Sequence, residues 1–151
     1  MDNLWAPWRL AYVADPAEKD EDTKAIRALN AKLKADGSYT VVFGTQSETS
    51  TATVHDIEAL AKVTRAHGKR FIVDAITGVG VHPLPQDAWG VDIVLTGSQK
   101  GLMSPPGLAT VSIAPWALDA IEGDKLPRFY WDLRKARKNL PAGESAFTPP
   151  V

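Results

Sequence analysis

No cysteine occurs among these 151 residues. Disulfides, thiolate nucleophiles and cysteine-ligated metals are therefore excluded for this chain, and the absence agrees with a reducing compartment. Net charge is nearly absent too, since 17 basic side chains stand against 18 acidic ones. No long-range pull toward nucleic acid or an anionic membrane is expected, and any charged ligand must be recognised locally. No apolar run approaches the roughly 20 residues that span a bilayer, and the first residues lack the basic-then-apolar pattern of a secretory signal. A cytoplasmic protein with no membrane or nucleic-acid partner is expected. Histidine is scarce: His55, His67 and His82 are the only three and stand apart from one another.

What is present suits one globular domain, with 44% hydrophobic and 23% charged residues. Residues 1–22 set Trp5, Trp8 and Tyr12 beside two prolines and then run into charge, which reads as an arm and linker. Trp5 and Trp8 suit an interface. From Thr23 to Asp36, Ile26, Leu29 and Leu33 recur at helical spacing, with Asp22 or Thr23 as N-cap and Gly37 as stop. Tyr39–Phe43 is short, apolar and β-branched and reads as a strand feeding the polar loop Gly44–Thr53. Val54–His67 carries a second helical stripe closed by Gly68, and FIVD (71–74) follows at once. Strand, helix, strand is the order of a right-handed crossover and a parallel sheet.

Gly78, Gly80, Pro83 and Pro85 mark a long turn before Val91–Thr96, a third strand. Leu108–Ala114 reads as a fourth. The connection between them is too short for a helical crossover, so the fourth is expected to pair antiparallel or lie at a distance. Pro115–Glu122 and Phe129–Asn139 read as short helices. The expected class is α/β, mostly parallel with one antiparallel strand and flanking helices.

Open α/β sheets bind ligands outside the carboxyl ends of their strands. Three polar features fall there: Glu48–Thr51 after the first strand, Asp74 ending the second, and Ser98–Lys100 past the third. The plain reading of Asp74 and Lys100 is a structural ion pair. The functional reading is a lysine that forms an imine with a carbonyl cofactor while an acid keeps the cofactor's ring nitrogen protonated. Glu48 with Asp74 lacks the further ligands a metal needs. His82 beside Pro83 reads as a solvated turn residue, and Arg134, Lys135, Arg137 and Lys138 as the wet face of a short helix.

GSQKGLMSPPG (97–107), SETST (47–51), FIVDAITGVGVHPL (71–84) and FTPPV (147–151) together resemble the class V aminotransferases that use pyridoxal phosphate, in particular the alanine-glyoxylate and serine-glyoxylate (serine-pyruvate) branch. The likeness runs from about Ala35 to Val151 and corresponds to a middle third of the family's chains. It implies that residues 23–151 are part of the large domain of a fold-type I pyridoxal-phosphate-dependent transferase, with 1–22 an arm of different origin.

By the same resemblance, Lys100 is the amine that forms the internal aldimine and shuttles the proton. Asp74 holds the pyridine nitrogen, Thr49 lies by the ring and its phenolic oxygen, and Gln99 helps hold the phosphate. Thr148 reaches the phosphate of the other subunit, which implies a homodimer. The implied activity is amino-group transfer from alanine or serine to glyoxylate or pyruvate, with an amino acid and a 2-oxo acid as substrates. The family's usual glycine after SETST is Ala52 here. The alternative is a non-catalytic remnant serving as a dimerisation or interaction module.

MDNLWAPWRLAYV, at the start, is similar to the opening of histidine-triad nucleotide hydrolases and transferases. That chemistry requires several imidazoles on one strand face, and three isolated histidines exclude it. A nucleotide-binding module is also disfavoured, since no glycine-rich loop opens a helix.

Overall fold

The computed structural model describes residues 10–13 and 21–147. The chain alternates strand and helix: β1 (Leu10–Val13), α1 (Glu21–Ala35), β2 (Val41–Thr45), a small hairpin of β3 (Ser47–Glu48) and β4 (Thr53–Val54), α2 (Ile57–Ala66), β5 (Arg70–Asp74), α3 (Gln86–Trp89), β6 (Ile93–Gly97) and β7 (Ala109–Ile113). Two short helices follow, α4 (Leu118–Glu122), entered through the single turn Pro115–Ala117, and α5 (Leu133–Asn139).

Five strands form one sheet in the order β1, β2, β5, β6, β7. The first four are parallel, as the expected crossovers require, and β7 runs antiparallel to β6. The ten-odd residues joining β6 to β7 cannot hold a crossover helix, so the chain folds straight back. β1 was not expected, because it falls inside the stretch read as an arm. Its four residues pair in register with Val41–Gly44, so part of that stretch belongs to the sheet.

Residue alternation in the strands explains the layering. Val42, Phe71, Val73 and Val94 point to one face and are buried with Leu29 and Leu33 of α1 and Ile57, Leu60 and Ala61 of α2. Each successive parallel strand lies on the same side of the last, so right-handed crossovers put α1, α2 and α3 on that one face. Asp56 starts α2 by accepting a hydrogen bond from the Ala59 N–H at 2.9 Å, which is why the helix begins at Ile57 while Val54 stays in the hairpin.

On the opposite face, Phe43, Ile72, Ile93 and Leu95 are only half-buried. α4 and α5 cover this face at β7, enclosing a cavity of about 440 Å³ lined by Val111, Ile113, Leu118, Ile121, Leu133 and Leu140. α5 is shorter than its sequence pattern suggests, because the Asp132 carboxylate accepts the Arg134 N–H and caps the helix there. The Phe129–Trp131 stretch before the cap is exposed instead. No helix among the described residues is long and apolar enough to cross a membrane.

Candidate functional site

Strand register brings the expected residues to one edge. Thr45 lies beside Asp74, and Asp74 beside Leu95, so β2, β5 and β6 end nearly flush and their following loops leave from the same rim.

The first loop is the β3–β4 hairpin, in which Ser47 pairs with Val54 and Glu48 with Thr53. Glu48 accepts hydrogen bonds from the Ser50 N–H at 2.8 Å and the Ser50 hydroxyl at 2.7 Å. Those bonds hold its carboxyl below the usual carboxylate range, backbone donor first, with the charge of His55 adding to the effect. Thr49 is exposed at the tip. Ala52, where the family pattern has glycine, takes a left-handed backbone with φ of 56°.

The second loop begins at Asp74, which is half-buried. One carboxylate oxygen accepts the Ile76 N–H at 3.0 Å, and the other takes no hydrogen bond among the described residues. Beyond it the chain coils tightly: the Gly78 and Val79 N–H groups both donate to the Ala75 carbonyl, and the His82 N–H donates to the Gly78 carbonyl. Three bonds tie this loop to the hairpin and the residue that leads into it, one of them from the Gln46 Nε2 to the Pro83 carbonyl at 3.0 Å. The Gln46 N–H donates to the Asp74 carbonyl at 2.8 Å, and the Thr77 hydroxyl donates to the Ser47 carbonyl at 2.7 Å.

The third loop, 98–108, is closed on Ser98. The Ser98 N–H donates to the Leu108 carbonyl and the Ser98 carbonyl accepts the Ser104 N–H, both at 3.0 Å. The Ser98 hydroxyl donates to the Pro105 carbonyl at 2.6 Å and accepts the Leu108 N–H at 3.3 Å. Gln99 and Lys100 project from this hoop and are exposed. The amine of Lys100 makes no hydrogen bond or ion pair among the described residues. Asp74 and Lys100 are thus not the structural ion pair that charge alone suggests.

Contact between the second and third loops depends on glycine. A Cβ on Gly101 would stand 2.2 Å from the Val79 carbonyl oxygen, and one on Gly80 would stand 2.9 Å from the Gly101 carbonyl oxygen. Backbone packs on backbone there, which carries the Lys100 hoop against the Asp74 loop.

Thr49, Asp74, Gln99 and Lys100 therefore sit on three linked loops at one rim, while Thr148 lies outside the described residues, as do Trp5 and Trp8. Gln46 and Thr77, which join the loops, were not singled out from the sequence. Polar residues past a strand look like ordinary loop, and the one available signal was the crowding of Gly78 and Gly80 into the same motif. The donor set suits a phosphorylated pyridine carrying a carbonyl group: an unpaired primary amine, a carboxylate with an oxygen to spare, and hydroxyls at the rim. Among the described residues no three His, Asp or Glu side chains are grouped to hold a metal.

A mostly parallel α/β sheet with this rim has the architecture of part of a fold-type I large domain, and the comparisons agree. The model of the family "aminotransferase class-V" matches residues 12–126. The chain belongs to that family, whose members are pyridoxal-phosphate-dependent enzymes.

It is 42% identical over 151 residues to the small subunit of a soluble hydrogenase from Synechococcus sp. (strain PCC 6716), covering 99% of this chain and 37% of that protein. It is 41% identical over 113 residues to an L-aspartate–glyoxylate aminotransferase from Paracoccus denitrificans (strain Pd 1222), covering 74% and 28%. Among solved structures, an alanine–glyoxylate aminotransferase from Nostoc sp. superposes with a TM-score of 0.73 at 26% identity, over 83% of this chain and 34% of that one. The chain spans about a third of the length of the relatives it matches. The large domain is therefore represented in part. None of these relatives is a histidine-triad protein.

Proposed function

We propose that this chain is the cofactor-holding core of a pyridoxal-phosphate-dependent aminotransferase that moves an amino group from alanine or serine to glyoxylate or pyruvate. The observation that carries the reading is the unpaired amine of Lys100 on a loop packed against the Asp74 loop, at the carboxyl rim of a parallel sheet. When bound, pyridoxal phosphate supplies an electron sink for the substrate's α-carbon.

The residues of this chain have separate tasks. Lys100 would supply the amine that holds the cofactor, and its Nζ would accept and return the proton moved in the reaction. Asp74, with one oxygen occupied by the Ile76 N–H, offers the other to the ring nitrogen and keeps that nitrogen protonated. Thr49 would lie by the phenolic oxygen, Gln99 would help hold the phosphate, and Thr148 would serve the phosphate of a second copy, which makes the proposed working form a homodimer; its proposed location is the cytoplasm. Residues 23–151, together with β1, form the transferase portion. The names of two relatives, an aspartate–glyoxylate and an alanine–glyoxylate enzyme, support glyoxylate as acceptor.

Titration with pyridoxal phosphate tests this directly. A visible absorbance band is expected, with borohydride fixing the cofactor to the peptide that contains Lys100, and Lys100→Ala losing both. A wild-type chain with no band and no labelled peptide supports the non-catalytic interaction module instead. Single-turnover assays of the loaded protein with alanine, serine and aspartate then rank the donors.

A further inference from the structure

Gln46 lies one residue past β2 and is only 2% exposed, the most deeply buried polar side chain at the rim. Its contacts reach each neighbouring segment. Its N–H donates to the Asp74 carbonyl at 2.8 Å, its carbonyl accepts the His55 N–H at 2.9 Å, and its side-chain Nε2 donates to the Pro83 carbonyl at 3.0 Å. The hairpin, the start of the Asp74 loop and the end of that loop are therefore held by one residue.

Its side-chain Oε1 is buried with no hydrogen-bond partner among the described residues. Such an atom costs free energy in a folded protein. It lies over Gly78, where a Cβ would come within 2.1 Å of it. Only glycine at 78 leaves room for the carboxamide, and only a long side chain with a donor at its end spans from β2 to Pro83.

We infer that Gln46 is a positioning residue for the cofactor site: it braces the 75–83 loop from inside and so fixes where the Asp74 carboxylate points and where the loop meets the Lys100 hoop. Gln46 is assigned no part in the chemistry, because its hydrogen bonds all go to backbone, that of Asp74, His55 and Pro83. The inference rests on the cofactor reading above and assigns a task to a residue that reading does not use. Gly78 is the other half of the brace, since any side chain there expels the carboxamide.

The test uses Gln46→Met, which keeps the length and loses the donor, and Gly78→Ala, which crowds the carboxamide from the opposite side. In both, the Val79 and His82 amides are expected to exchange with solvent faster than in the wild type before any cofactor is added. The dissociation constant for pyridoxal phosphate is expected to rise about tenfold, the loss that follows when one buried hydrogen bond is broken and its partner left unpaired.

The double variant is expected to lose little more than either single one, because both changes remove the same brace. The pH at which the visible band of the bound cofactor titrates is expected to shift, since Asp74 is no longer held at one orientation. A merely structural role lowers thermal stability and leaves affinity and pH response unchanged, and that result overturns the inference. If Gln46→Met does not fold, Gly78→Ala carries the same readouts. A wild-type chain that takes up no cofactor overturns the proposed function and this inference with it, whereas unchanged variants of a binding wild type overturn this inference alone.

Discussion

Ala52 is where a single methyl group works against the backbone. Its φ of 56° places a residue with a Cβ in the left-handed region, at a cost of roughly 1–2 kcal/mol. Glycine removes that cost but is freer in the unfolded chain, by up to about 1 kcal/mol. Ala52→Gly is therefore expected to stabilise the protein by up to about 1 kcal/mol, seen as a higher urea midpoint at unchanged slope. A lower midpoint would show that the methyl makes a packing contact worth more than the strain.

The same position shows what single residues disclose in a sequence. That SETST is followed by alanine was legible, and so was the family position it occupies. That the chain turns left-handed there was not, because nothing in the local composition demands it. Gln46 was likewise hidden, as its task depends on Pro83 and Gly78, which are distant in the chain and adjacent only once β2 and β5 have paired.

At the level of elements, strands and helices with a full apolar stripe were visible in advance. β5 and β6 announce themselves by burying alternate residues, and α2 by its buried Ile57, Leu60, Ala61 and Thr64. β1 and α3 were not, since a four-residue element carries too little periodicity to read. The β3–β4 hairpin reads as plain loop in the sequence because its side chains are small and polar, and Glu48 gripping Ser50 orders its tip.

That grip makes the hairpin sensitive to acid. The Glu48 pKa is lowered in the folded state, so its contribution is present above the ordinary carboxylate range and disappears as pH falls through the lowered value. The protection of the Ser50 amide, its NMR exchange rate divided into the intrinsic rate at each pH, is expected to fall across that acid window while amides in β5 stay protected. An equal fall in both elements would mean global acid unfolding and no separate hairpin transition.

For the molecule as a whole, the two faces of the sheet are unequal. One carries the packed core centred on Phe71, Val73 and Val42, all fully buried, and the other leaves Phe43, Ile72 and Leu95 half-covered. Elsewhere on the surface, Met103 is 91% and Trp131 80% exposed. Apolar surface on that scale favours association. Sedimentation velocity is expected to show a weight-average coefficient that climbs with protein concentration. A sharp monomer boundary at every concentration would contradict this and would remove the homodimer from the proposed function.

Closure of the 98–108 segment on Ser98 also bears on the order in which the protein assembles. The β6–β7 hairpin and its hoop use partners near one another in sequence, and hairpins of this kind form in about 1–10 μs. The pairing of β2 with β5 must first close a longer excursion through α2, which is entropically slower. By that comparison the loop that carries Lys100 is expected to form early, and the end of β5 that carries Asp74 to be fixed later. The Lys100 loop would then stand complete before the neighbouring loops of the rim are in place.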